Sequence, residues 1–569
     1  METTIPDDDS DEQFYRDTES IAFPRISDHQ LAQLEPLGHR RVVRSGEILY
    51  RAGERNFPMQ VILSGELEAY ETREDDEQIL ATITPRNFVG EISMLNGTSA
   101  IVSIRGKAPQ SEILEIPANT LRKALADLPG IGEPVVQAFI MRRRRLGRDR
   151  DFTGLRILAN PGCQGARRID DFLDKNHIPH RLVDSTTEEC HGLCDRLKLT
   201  SDDLPALIAG DGAITINPSI QQVARIAGLL RPLCRENEPE VLCDLAIVGA
   251  GPAGLASAVN GASEGLKTVV LESFAPGGQA GSSSLIENYF GFPTGISGGE
   301  LTYRAQLQAY RFNAKFTTPS QVISMTFPGG EYGTLIEIEG SPTILRAKCV
   351  IIATGAQYNK IDVENLGRFE GLGVFHAATS MEAQYCNGRT VVVVGAGNSA
   401  GQAAMFLSEH AKEVHLIVRG GDLAKSMSSY LSNRVATKEN IHIHYHTEVR
   451  GLRGETYLEG IDIVQTLTGE RQAIKTRGLF LMIGAKPCTD WLSPEIWKDN
   501  RNFILTGAAV ASAPAWQNAG RAPYPFETSQ PGVFAAGDVR SGSVKRCSAA
   551  VGEGSMAIEN VHQVLGTYS

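Results

Sequence analysis

At 569 residues the chain is too long for one hydrophobic core and implies about three to five domains. Apolar content of 42% and charged content of 21% are those of a globular protein, and a formal net charge of -12 excludes nucleic acid as a main partner, because phosphate binding needs clustered positive charge. No apolar run approaches the roughly 20 residues that span a bilayer and no signal peptide opens the chain, so no membrane partner is expected and the expected compartment is cytoplasmic. The nine cysteines (163, 190, 194, 234, 243, 349, 386, 488 and 547) are spread too thinly for a disulfide framework or a metal cluster, and no Cys-x-x-Cys occurs.

In chain order, residues 1–25 open with the acidic run Asp7 to Gln13 and read as a flexible tail. Residues 26–148 show short strands between glycine turns, as in Arg41–Tyr50, Gln60–Tyr70 and Phe88–Gly97. Arg142 to Arg145 close a helical run. They read as an exposed basic cap, with an internal clamp onto acidic parts of the chain as the alternative.

This first domain resembles the cyclic-nucleotide-binding domain, a small β-roll in which a Gly-Glu-x-x-x-Leu segment, here Gly90, Glu91 and Leu95, faces the ligand. The family's phosphate-binding arginine falls on Ala100, so the resemblance implies a fold kept for docking or dimerisation more than ordinary cyclic-nucleotide binding, with a small effector on this domain left open. Arg105, from a neighbouring strand, is the candidate substitute.

Residues 153–231 read as strand, helix, strand, helix, strand, strand, helix. Cys163 stands where a helix begins, and a helix N-terminus favours thiolate, which makes it the candidate reactive thiol. Cys190 and Cys194, four apart on one helix face, read as packing residues. The element order, with Asp203-Leu204-Pro205 before the third strand, resembles the thioredoxin/glutaredoxin fold, in which that proline is cis. The family's Pro-x-Cys-x-x-Cys is here Pro161-Gly-Cys163-Gln-Gly-Ala166, so the first thiol is kept and the resolving one is missing. Arg231 to Glu240 reads as a linker.

The remainder is built on two copies of one motif. At Asp244 to Glu272 an apolar strand enters Gly249-x-Gly251-Pro252-Ala253-Gly254, a helix of small residues leaves it, and a second strand ends in Glu272. Such a turn cradles a pyrophosphate at the helix N-terminus, while the acid takes ribose hydroxyls. The second copy is Gly395-Ala-Gly397-Asn398-Ser399-Ala400. Two cradles imply two dinucleotides, FAD and a nicotinamide nucleotide, placed for hydride transfer.

From about Cys243 onward the chain resembles the low-molecular-weight thioredoxin reductases. Gly278 and Gln279, Asn288, Thr354 and Gly355, Gly537 and Asp538, and Arg546, Cys547 and Ser548 match that family's flavin-facing segments, and Ile483-Gly484 its return turn. The resemblance implies an FAD domain over 241–358 and 495–569, an NAD(P) domain over 359–494, a homodimer, and an electron acceptor that is a disulfide protein or a small molecule. Two departures stand out. The nicotinamide-domain Cys-x-x-Cys is replaced by Ala377-Ala378-Thr379-Ser380, so another acceptor is needed, with Cys163 and Cys547 as candidates. Of the arginines that hold a 2'-phosphate, Arg419 remains, near Lys425, which favours NADPH and leaves NADH open.

The fold class expected is therefore multidomain: an N-terminal β-roll, an α/β thioredoxin-like domain and a two-dinucleotide α/β body of Rossmann type. Its expected function is NAD(P)H oxidation through flavin, with a flavin-based redox sensor or scaffold as the rival.

Overall fold

The computed structural model describes residues 8–73, 76–149, 154–210, 212–230, 240–282, 286, 289–369, 373–376, 378, 386–455, 457–517 and 519–567. The chain divides into two compact units, Met1–Gly355 with Thr489–Ser569, and Ala356–Cys488.

The first unit opens on a helix, Asp8–Ala22, where the sequence suggested a flexible tail. The helix lies along a second one, Pro129–Arg148. Tyr15 donates its hydroxyl to the Arg145 carbonyl at 3.0 Å, Arg145 pairs with Glu19 at 2.7 Å, and the Arg148 guanidinium covers the Phe14 ring at 4.0 Å. Glu19 and the rings of Phe14 and Tyr15, in the segment that suggested a solvated tail, are engaged by Arg145 and Arg148 far along the chain, a pairing that local composition does not reveal. The same packing corrects the basic-cap reading of Arg142 to Arg145, whose members are internal clamps: Arg144 pairs with Glu300 on the helix Gly298–Arg311, and Arg143 is only 8% exposed.

Two four-stranded antiparallel sheets form the β-roll, one ordered His39–Arg44, Gln110–Ile116, Met59–Ser64, Phe88–Val89 and the other Ile48–Tyr50, Ser103–Gly106, Leu67–Arg73, Asp76–Ile83. Met59, Leu67 and Phe88 are fully buried between them. A short helix, Ser93–Asn96, ends at Gly97 with φ 68°, the left-handed stop that glycine accepts without strain.

The next sheet is ordered His180–Asp184, Leu155–Ala159, Ala206–Ile208, Ile214–Ile216, the first pair parallel and the others antiparallel. Period-two alternation splits its core. Leu155, Ile157 and Ala159 pack with helices Gln164–Lys175 and Ile220–Ile226, whereas Leu158 packs with helix Glu188–Leu197 on the other face. The Leu204–Pro205 peptide is cis.

A seven-stranded sheet completes the unit, with Glu240–Val248 parallel to both Thr268–Leu271 and Ile344–Ile352, and Val533–Ala535 returning beside the latter. Val350, Ile351 and Ile352 are all fully buried, because helices or strands cover both faces, which explains continuous apolar runs in place of alternation. The second unit contains a five-stranded parallel sheet centred on Thr390–Val394, a three-stranded meander over Thr447–Lys475, and a small pair, Ala356–Tyr358 with Ala485–Pro487. Among the described residues no helix is long and apolar enough to cross a membrane.

Candidate functional site

The first cradle is made by backbone. Gly249 has φ 102°, and a β-carbon there would overlap the Ala353 carbonyl oxygen. A β-carbon on Gly254 would overlap the Gly249 carbonyl oxygen, so the helix Pro252–Ser263 leaves the turn at a distance only glycine permits. Gly251 differs, since its β-carbon would meet nothing nearer than the Gly278 α-carbon at 3.8 Å. Open space in front of Gly251, at a helix N-terminus with unpartnered first-turn N–H groups, is where a pyrophosphate fits. Gly278 comes so close to Gly251 that a β-carbon on it would lie 2.9 Å from the Gly251 α-carbon, and Gln279 follows in the short helix Gly278–Gly281.

Glu272 is 8% exposed and accepts the Ala250 N–H at 2.7 Å and the Phe274 N–H at 3.0 Å. Burial raises its carboxyl pKa while those amides pull it down. Oε1 also accepts the Ser273 hydroxyl at 3.3 Å, which leaves Oε2 with a lone pair for a hydroxyl, so the anchoring role of Glu272 is compatible with a ribose. Thr354 and Gly355, the latter at φ 68°, follow the adjacent strand end.

A second helix N-terminus belongs to the same unit. Cys547–Leu565 runs 19 residues from an extended Arg546, and packs on Pro252–Ser263 through small residues. Ser257, fully buried, donates its hydroxyl to the Gly554 carbonyl at 3.0 Å. A β-carbon on Gly537 would stand 2.8 Å from the Ala253 β-carbon. Ser257 and Gly554 were not singled out from the sequence, although small residues spaced along both helices (Ala253, Ser257, Gly261; Ala550, Gly554, Ala557) carry the signal. Glu553 locks the neighbouring turn by accepting the Gly537 N–H at 2.7 Å and pairing with Arg540 at 2.7 Å. Asp538 is held above the usual carboxylate range by burial, and the N–H groups of Cys547 and Ser548 are first-turn donors without intrahelical partners. Asn288 lies outside the described residues. The donor set fits FAD.

In the second unit Gly395 has φ 144°, and its β-carbon would overlap the Met482 carbonyl oxygen. Gly397 caps the helix Asn398–Leu407, which also carries Ser399, and Ala400 is fully buried under the turn. Asn398 accepts the Ser428 N–H at 2.8 Å and Ser426 donates to the Ala396 carbonyl at 2.8 Å, fastening the cradle to the segment that carries Lys425. Arg419, one residue past strand Glu413–Val418, and Lys425 are both exposed cations available to a phosphate. The Ile483 carbonyl accepts from Asn359 Nδ2 at 3.0 Å, and Gly484 has φ 83°. Of the four residues in place of a nicotinamide-domain dithiol, Ala377, Thr379 and Ser380 lie outside the described residues, and Ala378 is half-buried.

The β-roll and the helices Asp8–Ala22 and Pro129–Arg148 enclose a cavity of about 910 Å³, lined by apolar side chains such as Tyr50, Ile83, Phe88 and Ile104 and by charged ones that include Arg142, Arg143, Arg145 and Glu91. Arg142 Nε donates to the Ala22 carbonyl at 2.7 Å and Nη1 to the Gly90 carbonyl at 3.0 Å, with the Phe88 ring 4.5 Å away, while Nη2 is buried without a partner. Burial lowers its pKa to about 10. Glu91 is matched separately, accepting the Ile101 N–H at 2.8 Å with Arg143 at 3.5 Å. Arg105 does not substitute for the missing cassette arginine: it pairs with Glu68 at 2.5 Å and with Glu77, stacks on Tyr70, and is not in the cavity lining.

Residues 243–554 match the family model described as pyridine nucleotide-disulphide oxidoreductase. The chain belongs to that family. It is an NAD(P)H-dependent flavoprotein oxidoreductase, and residues 40–127 add a match to the cyclic nucleotide-binding domain. Thioredoxin reductase of Bacillus subtilis (strain 168) is 31% identical over 323 residues, covering 57% of this chain and 94% of that one. NADPH-dependent thioredoxin reductase 3 of Arabidopsis thaliana is 29% identical over 333 residues, covering 57% of this chain and 59% of its own length. A solved thioredoxin reductase from Streptococcus pyogenes MGAS5005 shares 28% identity over 57% of this chain and 99% of that one, with a TM-score of 0.48.

The thiols of this pyridine nucleotide-disulphide oxidoreductase fall into distinct settings. Cys243 and Cys349 are buried in the sheet, with burial pushing the Cys243 thiol up to about 12. Cys547 is half-buried, and burial first, then Asp538, push its thiol up to about 11, which disfavours the thiolate that an acceptor would need. Cys163 is half-buried and caps Gln164–Lys175 in extended conformation, its Sγ 3.8 Å from where a Gly165 β-carbon would be.

Proposed function

We propose that this flavoenzyme takes two electrons from NADPH and delivers them to a disulfide acceptor through Cys163, in a domain of thioredoxin-like fold, because the nicotinamide domain has no dithiol of its own. Cys163, as thiolate, opens the acceptor to a mixed disulfide and expels one acceptor thiol; the two electrons then cleave the mixed disulfide to the second acceptor thiol and free Cys163. The observation that carries this reading is the pairing of a chain without any Cys-x-x-Cys with a half-buried thiol at a helix N-terminus. Strand order, the distribution of three helices over two faces and the placement of Pro205 near Gly165 support the thioredoxin-like assignment.

When bound, FAD would supply two-electron redox chemistry between the nicotinamide and the acceptor. The chain's own part is to hold and polarise. Gly249, Gly251 and Gly254 admit the pyrophosphate, Glu272 fixes a ribose, and the N–H groups at Arg546 to Ser548 present positive potential where negative charge gathers on reduction. Arg419 and Lys425 favour NADPH by meeting a 2'-phosphate.

Anaerobic titration of the purified protein tests the first half: NADPH is expected to bleach the flavin, and NADH to do so less readily. Failure of both, with dithionite still effective, would leave a flavin-based sensor. For the second half, Cys163→Ser is expected to abolish turnover with a disulfide acceptor while sparing flavin bleaching, and Cys547→Ser to spare both. Undiminished disulfide turnover in Cys163→Ser would remove that thiol from the path.

The N-terminal cavity favours a small effector as well. Its Arg142 Nη2 is buried without a hydrogen-bond partner in a cavity whose lining mixes apolar side chains with Arg143, Arg145 and Glu91, which suits an anionic group on an apolar or aromatic body. Calorimetry of the full chain with cyclic AMP is expected to show binding that weakens about tenfold or more in Arg142→Gln, the loss of one charge-assisted hydrogen bond. Equal affinity in the two proteins would place the anion elsewhere.

A further inference from the structure

Helix Glu188–Leu197 carries a pair of thiols that the flavin path does not use. Cys190 Sγ and Cys194 Sγ lie 3.8 Å apart, close enough to share a weak hydrogen bond. Positions four apart on a helix have α-carbons roughly 6 Å apart, inside the roughly 4.4–6.8 Å range that a disulfide tolerates. Their sulfurs therefore need to approach by less than about 2 Å to reach bonding distance, although the wider spacing of β-carbons on an intact helix opposes closure.

We propose that Cys190 and Cys194 are a reversible, oxidant-responsive dithiol, which closes by exchange with a small-molecule disulfide and loosens the last turn of its helix as it does so. The inference stands on this helix alone and is independent of the path through Cys163.

The two thiols differ in the way that sequential exchange requires. Cys194 is half-buried in the final turn and reachable, whereas Cys190 is fully buried, and burial, reinforced by Cys194, pushes its thiol up to about 11. Cys194, as thiolate, attacks one sulfur of the disulfide and forms a mixed disulfide, expelling the first thiolate. Cys190 then gives its proton to solvent base and attacks Cys194 Sγ, expelling the second. Two protein thiols are oxidised, one external disulfide is reduced to two thiols, and two electrons move. A thiol with so high a pKa is a slow attacker in bulk solution, and contact distance compensates.

The helix has the give that closure needs. Gly192 lies between the two cysteines, and a β-carbon on it would meet nothing within 4 Å. The turn ends at Lys198 in left-handed conformation, φ 56°, with the Lys198 N–H and the Leu199 N–H, at 2.9 Å, both directed to the Cys194 carbonyl. Closure would disturb these terminal bonds before the rest of the helix. It would also be felt nearby: Cys190 and Leu193 pack with Leu158, Val183 and Ile208, and Leu204, beside Pro205, packs against the same cluster.

The test uses the full-length holoprotein treated with oxidised glutathione, then iodoacetamide and trypsin. Cleavage after Arg181 and Arg196 yields Leu182–Arg196, which holds both cysteines and no other. The expected product is that peptide unalkylated and lighter by two hydrogens, reverting to the doubly alkylated form after dithiothreitol. In Cys190→Ser the glutathione adduct on Cys194 is expected to accumulate. In Cys194→Ser the modification of Cys190 is expected to slow about tenfold or more, following its exposure and pKa. Full alkylation of the wild-type peptide after oxidation, or a glutathione adduct on it that never closes, would overturn the proposal.

Discussion

Gly254→Val is expected to yield a protein without bound flavin and with NADPH oxidation reduced at least about 100-fold. A β-carbon at this position would overlap the Gly249 carbonyl oxygen and sit 3.3 Å from Ile247 Cγ2, so helix Pro252–Ser263 would have to retreat from strand Glu240–Val248. Overpacking of this kind costs about 1–3 kcal/mol in the fold. The larger loss falls on binding, since a displaced turn forfeits charge-assisted hydrogen bonds to pyrophosphate worth about 1.5–3 kcal/mol each, and two of them account for about 100-fold or more. Flavin absorbance relative to protein absorbance checks occupancy. Gly251→Ala separates ligand from fold, because a β-carbon there meets no protein atom nearer than 3.8 Å and fills only the space in front of the turn. It is expected to keep the fold and lose FAD. Full occupancy in Gly251→Ala would mean that the cofactor's phosphates do not pass that turn.

The cradles were legible because their chemistry is local. A strand, a glycine turn and a helix of small residues are consecutive, and the positive φ at Gly249 and Gly395 is what those glycines supply. The β-roll was legible from turn spacing, and its cassette from Gly90 and Glu91. What sequence reasoning missed is complementarity at long range. The acidic segment before Phe23 looks solvated until Arg145 and Arg148 are brought to it, and a run of four arginines looks like a surface cap until Gly90, Glu91 and Glu300 receive three of its members. Arg105 was weighed as a replacement for the missing cassette arginine because strand proximity was its only visible credential; Glu68 and Glu77 engage it instead. Cys190 and Cys194 were recognised as sharing a helix face, but spacing gives α-carbon separation and not the side-chain rotamers that bring sulfurs to 3.8 Å.

Arg521→Met is expected to lower stability by about 3 kcal/mol, toward the lower end of the 3–5 kcal/mol range for breaking a buried ion pair, and to shift flavin release to lower urea concentration. Glu527 is fully buried, and its two oxygens accept Arg521 Nη1 at 2.7 Å, Arg521 Nη2 at 2.8 Å, the Tyr524 N–H at 2.8 Å and the Gly532 N–H at 3.0 Å. Removing the guanidinium leaves a carboxylate away from water with two amide donors, which is why the cost is expected at the low end. The rings of Tyr524 and Trp516, 4.4 and 5.1 Å from the guanidinium carbon, would also lose their cation. The effect reaches the cofactor by a short route. The Glu527 backbone carbonyl accepts the Gly507 N–H at 2.9 Å, and the Phe526 carbonyl accepts the Ala535 N–H at 3.0 Å, on the strand that leads directly to Gly537 and Asp538. Arg521→Lys, which keeps the charge but not the two-pronged geometry, is expected to lose less than Arg521→Met. A urea midpoint for flavin release unchanged by Arg521→Met would show that Glu527 is reached by water, and the strand's grip on Gly537 would then have to come from the sheet pairing of Val533–Ala535 with Ile344–Ile352 alone.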